Sequence, residues 1–392
     1  MTKIVLLLVA MSTASLLASG VVLAQDNPTP RQGPPEGAIP GQYIVVFKDV
    51  VRDPAAVARE HAQRYGAQVR YTYQYALNGY AARISESRLE QVRADSRVEY
   101  VEPDHTAYAE AQTLPWGIDR VDADISSTRA GNGAGAVSNT NAYIVDTGID
   151  KTHADLNVVK HVNFTGDGRN ADCNGHGTHV AGTVAARDNS RAVVGVAPGA
   201  PLTGVKVLGC EGKGALSGVI KGVDWVTAHA KKPAIANMSL GGGENPSQTL
   251  DDAVRNSARS GVFYSVVAGN KGEDACLHSP ARAGAGTNNG IATVAATNEA
   301  DEETSFSNYG SCVDIWAPGL HILSTKMGGG TTTMGGTSMA APHVGGGAAL
   351  YLSSHTGASS STVEAALKSA ATKPGTTSKD GRTILLEYVG GF

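Results

Sequence analysis

Asn141-Ala142-Tyr143-Ile144-Val145-Asp146-Thr147-Gly148 is a short apolar run that stops on an acid and a glycine turn. Runs apolar at successive positions, and not at alternate ones, are strands buried on both faces, as in a parallel sheet. Residues 203–208, 235–238, 262–268 and 291–295 repeat the pattern. Between these runs Leu216, Val219, Ile220, Val223 and Val226 keep helical spacing. Leu250, Ala253, Val254 and Ala258 keep it again ahead of Gly261, a helix C-terminal residue. The alternation predicts an α/β domain, a doubly wound and mostly parallel sheet. In such a sheet the working crevice lies beyond the carboxyl ends of the strands, and Asp146 ends the first of them.

The chain has 392 residues, long for one domain, so a boundary is expected. Its 41% hydrophobic, 17% charged and 5% aromatic composition, with 48 glycines, suits tight α/β packing and short loops. A net charge of −4 without a long basic run argues against nucleic acid or an anionic membrane surface as partner. Lys3 precedes an apolar run over residues 4–23, and Val22-Leu23-Ala24 has the small residues that a signal peptidase reads. Residues 1–24 are therefore read as a signal peptide of a secreted, extracellular protein. The alternative is an uncleaved anchor, for which the run is short and broken by serine.

Residues 25–42, with Pro28, Pro30, Pro34, Pro35 and Pro40, read as an extended linker. From Tyr43 the pattern predicts a strand over 43–47, a helix over 54–65, and strands over 69–75 and 79–84 about an Asn78-Gly79 turn. A helix capped by Ser85 and ending at Ala94, and a strand over 98–101, complete it. The order β-α-β-β-α-β is a split βαβ, a small ferredoxin-like α+β domain over residues 43–109. Residues 110–392 then form the α/β domain, with no targeting or binding domain expected beyond the strand-like residues 383–388. Cys173, Cys210, Cys276 and Cys312 permit three pairings. Export favours disulfides over free buried thiols.

Two imidazoles lie in His176-Gly177-Thr178-His179. Asn174 and Gly175 open a helix whose first residues face the crevice, so His176 is the candidate base and His179, a turn deeper, a packed structural histidine. The run Cys173-x2-His176-x2-His179 lacks the His-Glu-x-x-His spacing and a nearby fourth ligand, which argues against zinc. Ser338 follows Gly336-Thr337 and precedes a helix read from Met339, with Pro342 in its first turn. At such a helix start, unpaired N–H groups and the macrodipole favour an oxyanion, and the Ser338 N–H is one donor. Gly131-Asn132-Gly133-Ala134-Gly135 precedes a strand where a dinucleotide fingerprint would follow one. Asn237-Met238-Ser239 is a glycosylation sequon by pattern, at a buried strand end.

Asp146, His176 and Ser338 stand in the chain order of subtilisin, one of several orders in which this triad occurs on unrelated folds. On these motifs the chain resembles the subtilisin-like serine proteases (subtilases), proteinase K branch, from about Gln112 to the C-terminus. The residues before it resemble the family's propeptide, an intramolecular chaperone and inhibitor. The resemblance implies Asn270, in Ala268-Gly269-Asn270, as the second oxyanion donor. It implies Gly212-Lys213-Gly214 and Ser239-Leu240-Gly241-Gly242 as backbone stretches that sandwich an extended peptide. It sets Val267 and Gly269 beside the first-subsite pocket, Val267 where relatives have a smaller residue. It pairs Cys173 with Cys210 and Cys276 with Cys312. It gives calcium Asp314 with the backbone carbonyls of Asn289 and Ile291, although the loop over 283–289 is longer here. It also lays the tail His105-Thr106-Ala107-Tyr108 in the cleft, with cleavage between Tyr108 and Ala111.

The reading is a secreted serine endopeptidase of broad specificity, autoprocessed from a zymogen through an acyl-enzyme on Ser338. It needs no cofactor for catalysis, carries structural calcium, and acts as a monomer on proteins and peptides. An esterase using the same triad is the alternative enzyme. A silent binding relative would lack at least one of Asp146, His176, Asn270 or Ser338, and all four are present.

Overall fold

The structure, a computed structural model, describes residues 38–105, 111–241 and 246–392. The expected signal peptide, the linker up to residue 37, residues 106–110 of the expected cleavage region, and Gly242 lie outside the described residues. The chain divides into two compact units, Met1–Tyr108 and Ala109–Phe392.

In the first unit β1 (Ala38–Phe47), α1 (Pro54–Tyr65), β2 (Gln68–Tyr73), β3 (Gly79–Arg83), α2 (Glu86–Arg93) and β4 (Val98–His105) follow in order. Their antiparallel sheet runs β2-β3-β1-β4, the split βαβ arrangement. Asp53 caps α1 by accepting from the Ala56 N–H at 2.9 Å, and Gly66, at φ 70°, ends it. Val45, Phe47, Tyr80, Ile84, Leu89 and Val92 share its core.

Three local expectations are corrected here. β1 opens at Ala38, inside the segment read as linker, and a register shift between Ala38 and Tyr43 takes up Pro40 and Gly41. Asn78-Gly79 is not the hairpin turn. Tyr73 pairs with Gly79, and Asn78 donates to the carbonyls of Lys48 and Val51. Glycine is required at 79 because a Cβ there would stand 2.2 Å from the Val45 carbonyl oxygen. Ser85 precedes α2, but its hydroxyl pairs with that of Ser87 and not with a backbone N–H.

In the second unit α3 (Trp116–Arg120) leads to β5 (Asn141–Asp146), β6 (Val158–Asn163), α4 (His176–Ala185), β7 (Leu202–Lys206) and α5 (Leu216–His229). Then come β8 (Ala234–Met238), α6 (Gln248–Arg259), β9 (Phe263–Val267), β10 (Ile291–Thr297) and β11 (Ile315–Pro318). The hairpin β12 (Ile322–Thr325) and β13 (Thr331–Met334) precedes α7 (Thr337–Ser354) and α8 (Ser360–Ala370). Seven strands form a parallel sheet in the order β11-β10-β9-β8-β5-β7-β6. The chain builds from β5 outward to β6 and β7, then crosses to β8 and continues the other way, so the order reverses beside β5.

Alternate residues of each strand serve opposite faces. Ile144, Ile235, Phe263 and Val294 pack with Val180, Val184 and Val344 of α4 and α7. Tyr143, Val145, Val205 and Val266 pack with Val223, Val226, Leu250 and Val254 of α5 and α6. The α/β, doubly wound expectation is met. β6 and β11 are strands that the apolar runs did not announce. α7 begins at Thr337, so Pro342 lies inside the helix and not in its first turn. Proline has no N–H to give the carbonyl four residues back. That carbonyl, of Ser338, accepts from Ser239 Oγ at 2.8 Å instead.

One core residue carries an uncompensated acid. Glu387 is fully buried, neither carboxyl oxygen has a hydrogen-bond partner among the described residues, and a Cβ on Gly347 of α7 would stand 2.3 Å from Oε1. Burial pushes its pKa well above the usual 4.5. The native state therefore keeps a proton that the unfolded chain releases. Stability is full below about pH 4.5 and falls as pH rises toward the folded pKa, by about 1.4 kcal/mol per pH unit at most. Glu387→Gln is expected to remove that slope, so its melting temperature gains on the parent as pH rises. Parallel melting curves for the two proteins between acid and alkaline buffer would refute this.

Candidate active site

β5 delivers Asp146, fully buried, to the crevice. Its Oδ1 accepts the Thr147 N–H at 2.7 Å and lies 2.8 Å from His176 Nδ1. His176 is the first residue of α4, with Gly175 at φ 103° before it, and 27% of its side chain is exposed. A carboxylate oxygen only accepts, so Nδ1 carries the proton and Nε2 is left as a base. Burial pulls the pKa of His176 down, but the charge of Asp146 and the bond to it outweigh this and hold it above 6.5. His179 differs. Its Nε2 donates to the carbonyls of Ile322 and Thr332 at 3.0 and 3.1 Å, and burial lowers its pKa to about 4, which makes it a neutral structural imidazole.

Ser338 lies in the first turn of α7, behind Gly336 at φ 147°. Asn270 Oδ1 accepts from the Thr337 N–H at 2.8 Å and the Thr337 hydroxyl at 2.9 Å, which fixes the amide and turns Nδ2 the other way. A Cβ on Gly336 would stand 3.3 Å from Asn270 Nδ2 and 3.7 Å from the Ser338 N. Two donors thus border one small space that glycine leaves open. Ser338 Oγ donates to the Ser239 carbonyl at 3.4 Å, a long bond and a weak resting partner.

Three supporting residues escaped the sequence reading. Asp172 Oδ1 accepts from Thr147 Oγ1 and from the N–H groups of Asn174 and Gly175 at 2.9 to 3.0 Å; Oδ2 accepts from the Thr178 N–H and hydroxyl at 3.0 and 2.6 Å. One buried carboxylate therefore fixes the turn that starts α4 and its link to β5. Its sequence signal was an acid just ahead of a helix N-terminus. Lys206, also buried, donates to the carbonyls of Thr147 and Leu208, both at 2.9 Å, bracing the strand ends around Asp146. Asn308 accepts from the Lys271 and Glu273 N–H groups at 2.9 and 3.1 Å and donates to the Ala268 carbonyl at 3.0 Å. It holds the loop of Asn270, and no local pattern marks it.

Two cavities, of about 490 and 410 Å³, meet at Ser239, Leu240 and Gly241. The first reaches His176, Gly212 and Gly214; the second reaches Val267, Gly269, Asn270 and Ser338. A Cβ on Gly214 would stand 2.1 Å from the Val207 carbonyl oxygen, so the backbone comes this close only as glycine. Disulfides join Cys173 to Cys210 and Cys276 to Cys312, the pairs implied by the resemblance, across 37 and 36 residues. Each is worth about 4 kcal/mol in the chain-entropy account. The first ties the approach to α4 to the Gly212 stretch, where Asn174 Nδ2 also donates to the Cys210 carbonyl at 2.9 Å. Asn237 is fully buried, which removes its sequon as a glycosylation site.

The side chains of Asp314 and Asn289, two of the residues implied for calcium, already have partners within the chain. Asp314 Oδ1 accepts from Lys368 Nζ at 3.0 Å and Oδ2 from the Thr293 N–H at 2.9 Å. The Asn289 amide donates to the Ala283 carbonyl at 3.0 Å, while its Oδ1 accepts from the Ile291 N–H at 3.1 Å. An ammonium group already stands against the carboxylate, so this set as arranged does not fit a divalent ion, which needs several unshared oxygens.

Comparison with known proteins follows the same division. The subtilase family model matches residues 142–390, and the peptidase inhibitor I9 model matches residues 42–110. An alkaline serine exoprotease A of Vibrio alginolyticus is 39% identical over 91% of this chain and 68% of its own. An extracellular serine proteinase of a Thermus species is 40% identical over 84% of each chain. A solved structure of a cold-adapted subtilisin-like serine proteinase, 42% identical, covers 70% of this chain and 97% of its own with a TM-score of 0.62.

Proposed function

The chain belongs to the subtilase family of serine proteases and carries an I9 inhibitor domain, and from that premise we propose a secreted endopeptidase that cleaves itself from a zymogen. Asp146 orients His176 through Nδ1. His176 Nε2 takes the proton of Ser338 Oγ as the oxygen turns from Ser239 and attacks the scissile carbonyl. Asn270 Nδ2 and the Ser338 N–H receive the oxyanion. His176 then protonates the leaving amine, and water released of its proton by the same imidazole frees the acyl group. Side chains and backbone supply every step, so the chemistry draws on no cofactor. The observation that carries this is the 2.8 Å bond of His176 Nδ1 to a buried carboxylate.

The extended cleft supports peptides over small esters, because two cavities flank Ser239–Gly241 and glycines open the facing backbone. The I9 domain supports an intramolecular inhibitor, and the site comes from one chain, which supports a monomer. The name of the Thermus relative supports secretion. No helix among the described residues is long and apolar enough to cross a membrane. A fluorophosphonate probe is expected to add once per chain, at the peptide carrying Ser338, with internal cuts in an unfolded protein substrate. Labelling elsewhere, or removal of terminal residues only, as the Vibrio relative's name suggests for that protein, would overturn the reading.

Val267 lines the second cavity together with Gly269 and Ser338, and its branched side chain takes up room there that a smaller residue would leave free. Cleavage after Trp and Tyr is expected to be at least tenfold less efficient than after Ala or Leu in matched peptides, since overpacking a filled pocket costs about 1–3 kcal/mol. Val267→Ala should restore the aromatic residues. Equal kcat/KM for the four residues in the parent sinks this.

A further inference from the structure

Asp314, assigned to calcium by the resemblance, is one of two buried carboxylates that share a lysine. Lys368, in the last turn of α8, has Nζ 3.0 Å from Asp314 Oδ1 and 3.0 Å from Glu364 Oε1. The remaining oxygens are also taken. Glu364 Oε2 accepts from the Gly290 N–H at 2.8 Å and Asp314 Oδ2 from the Thr293 N–H at 2.9 Å. All four carboxylate oxygens thus accept hydrogen bonds from this chain. Glu364 is fully buried, and the Asp314 side chain is 8% exposed, so both need a compensating charge close by.

The three side chains join elements that are far apart in sequence. Glu364 and Lys368 lie on α8, Asp314 just ahead of β11, and Gly290 and Thr293 at the start of β10. A divalent ion between a carboxylate and the carbonyls of residues 289 and 291 would tie the same strand ends by drawing oxygens inward at about 2.3–2.6 Å. Here the ammonium, carried on an i, i+4 neighbour of Glu364, does so with hydrogen bonds. The Ala283 carbonyl at the rim is likewise occupied, by Asn289 Nδ2 and by Arg255 Nε at 3.2 Å.

We propose that Lys368 is the resident cation of this position, built into the chain, and that Asp314 holds no calcium ion. The strand ends and α8 then keep their attachment when divalent ions are removed, whatever other sites the molecule has. Truncating the lysine leaves two buried carboxylates facing each other without a counter-charge.

The test uses the full-length chain in the Ser338→Ala background, so that self-digestion plays no part. Bound calcium per chain is counted for the parent and for Asp314→Asn, and melting temperatures are taken in EDTA for the parent and Lys368→Met. The expected result is equal calcium in the parent and Asp314→Asn, and a melting temperature about 5–10 °C lower for Lys368→Met. One calcium fewer in Asp314→Asn overturns the proposal, as does Lys368→Met melting together with the parent in EDTA. If Lys368→Met does not fold, the calcium count of Asp314→Asn still decides.

Discussion

Ser338→Ala is expected to lower kcat on a peptide substrate by about 10⁶-fold, a scale that comes from subtilisin itself, and to leave the chain joined to its I9 domain. The change should not unfold the protein. Among the described residues Ser338 Oγ makes only the long bond to the Ser239 carbonyl, whereas the bond from Ser239 Oγ ends on the backbone of residue 338 and survives in alanine. What remains is the oxyanion space and peptide binding, which still leave about 10³- to 10⁴-fold over water. Because base and nucleophile act as one unit, adding His176→Ala should cost little more. The check is the intact mass of expressed parent and variant, side by side, with kcat on one peptide. A shortened parent beside a full-length variant ties self-cleavage to Ser338. If both emerge equally shortened, another protease does the processing, and a kcat within a hundredfold of the parent would remove Ser338 from the chemistry.

The sheet is legible because strands covered on both faces are buried along their length and carry mostly apolar residues at successive positions, as β5, β7, β8, β9 and β10 do with a few polar exceptions. β6 is an edge strand, exposed or half-buried everywhere but at His161 and with Lys160 inside it; β11 has four residues and ends in Pro318. Both take their strand form from the neighbour they pair with, a tertiary effect that no local pattern carries. The proposed catalytic groups are legible for another reason. Asp146, His176, Asn270 and Ser338 each sit at a strand or helix end beside glycines, since backbone must approach closely there. Asp172, Lys206 and Asn308 do the holding through buried bonds to residues up to 59 positions away, and read as ordinary loop or strand polar residues. Lys368 was hidden likewise: its Glu364 partner looks like a surface helix pair until Asp314 is brought up to it.

Asn270→Asp separates the two jobs proposed for one side chain. Oδ1 accepts from the Thr337 N–H and hydroxyl, which fastens the β9 loop to the start of α7; Nδ2 faces the space beside the Ser338 N–H. A carboxylate keeps both acceptor bonds and replaces the donor by an oxygen, so the loop stays fastened while a lone pair meets the developing oxyanion. Loss of one such donor costs about 10²- to 10³-fold in kcat, a figure again taken from subtilisin, and repulsion should carry the aspartate to the upper end. KM should change little, because the charge exists only in the transition state. Asn270→Ala loses the donor and the fastening together, so its kcat falls by the smaller factor while stability drops by about 1–2 kcal/mol. The pair is distinguished by measuring kcat, KM and melting temperature for both. An aspartate variant that keeps kcat within tenfold would release Asn270 from the oxyanion role and leave it a fastener of α7 alone.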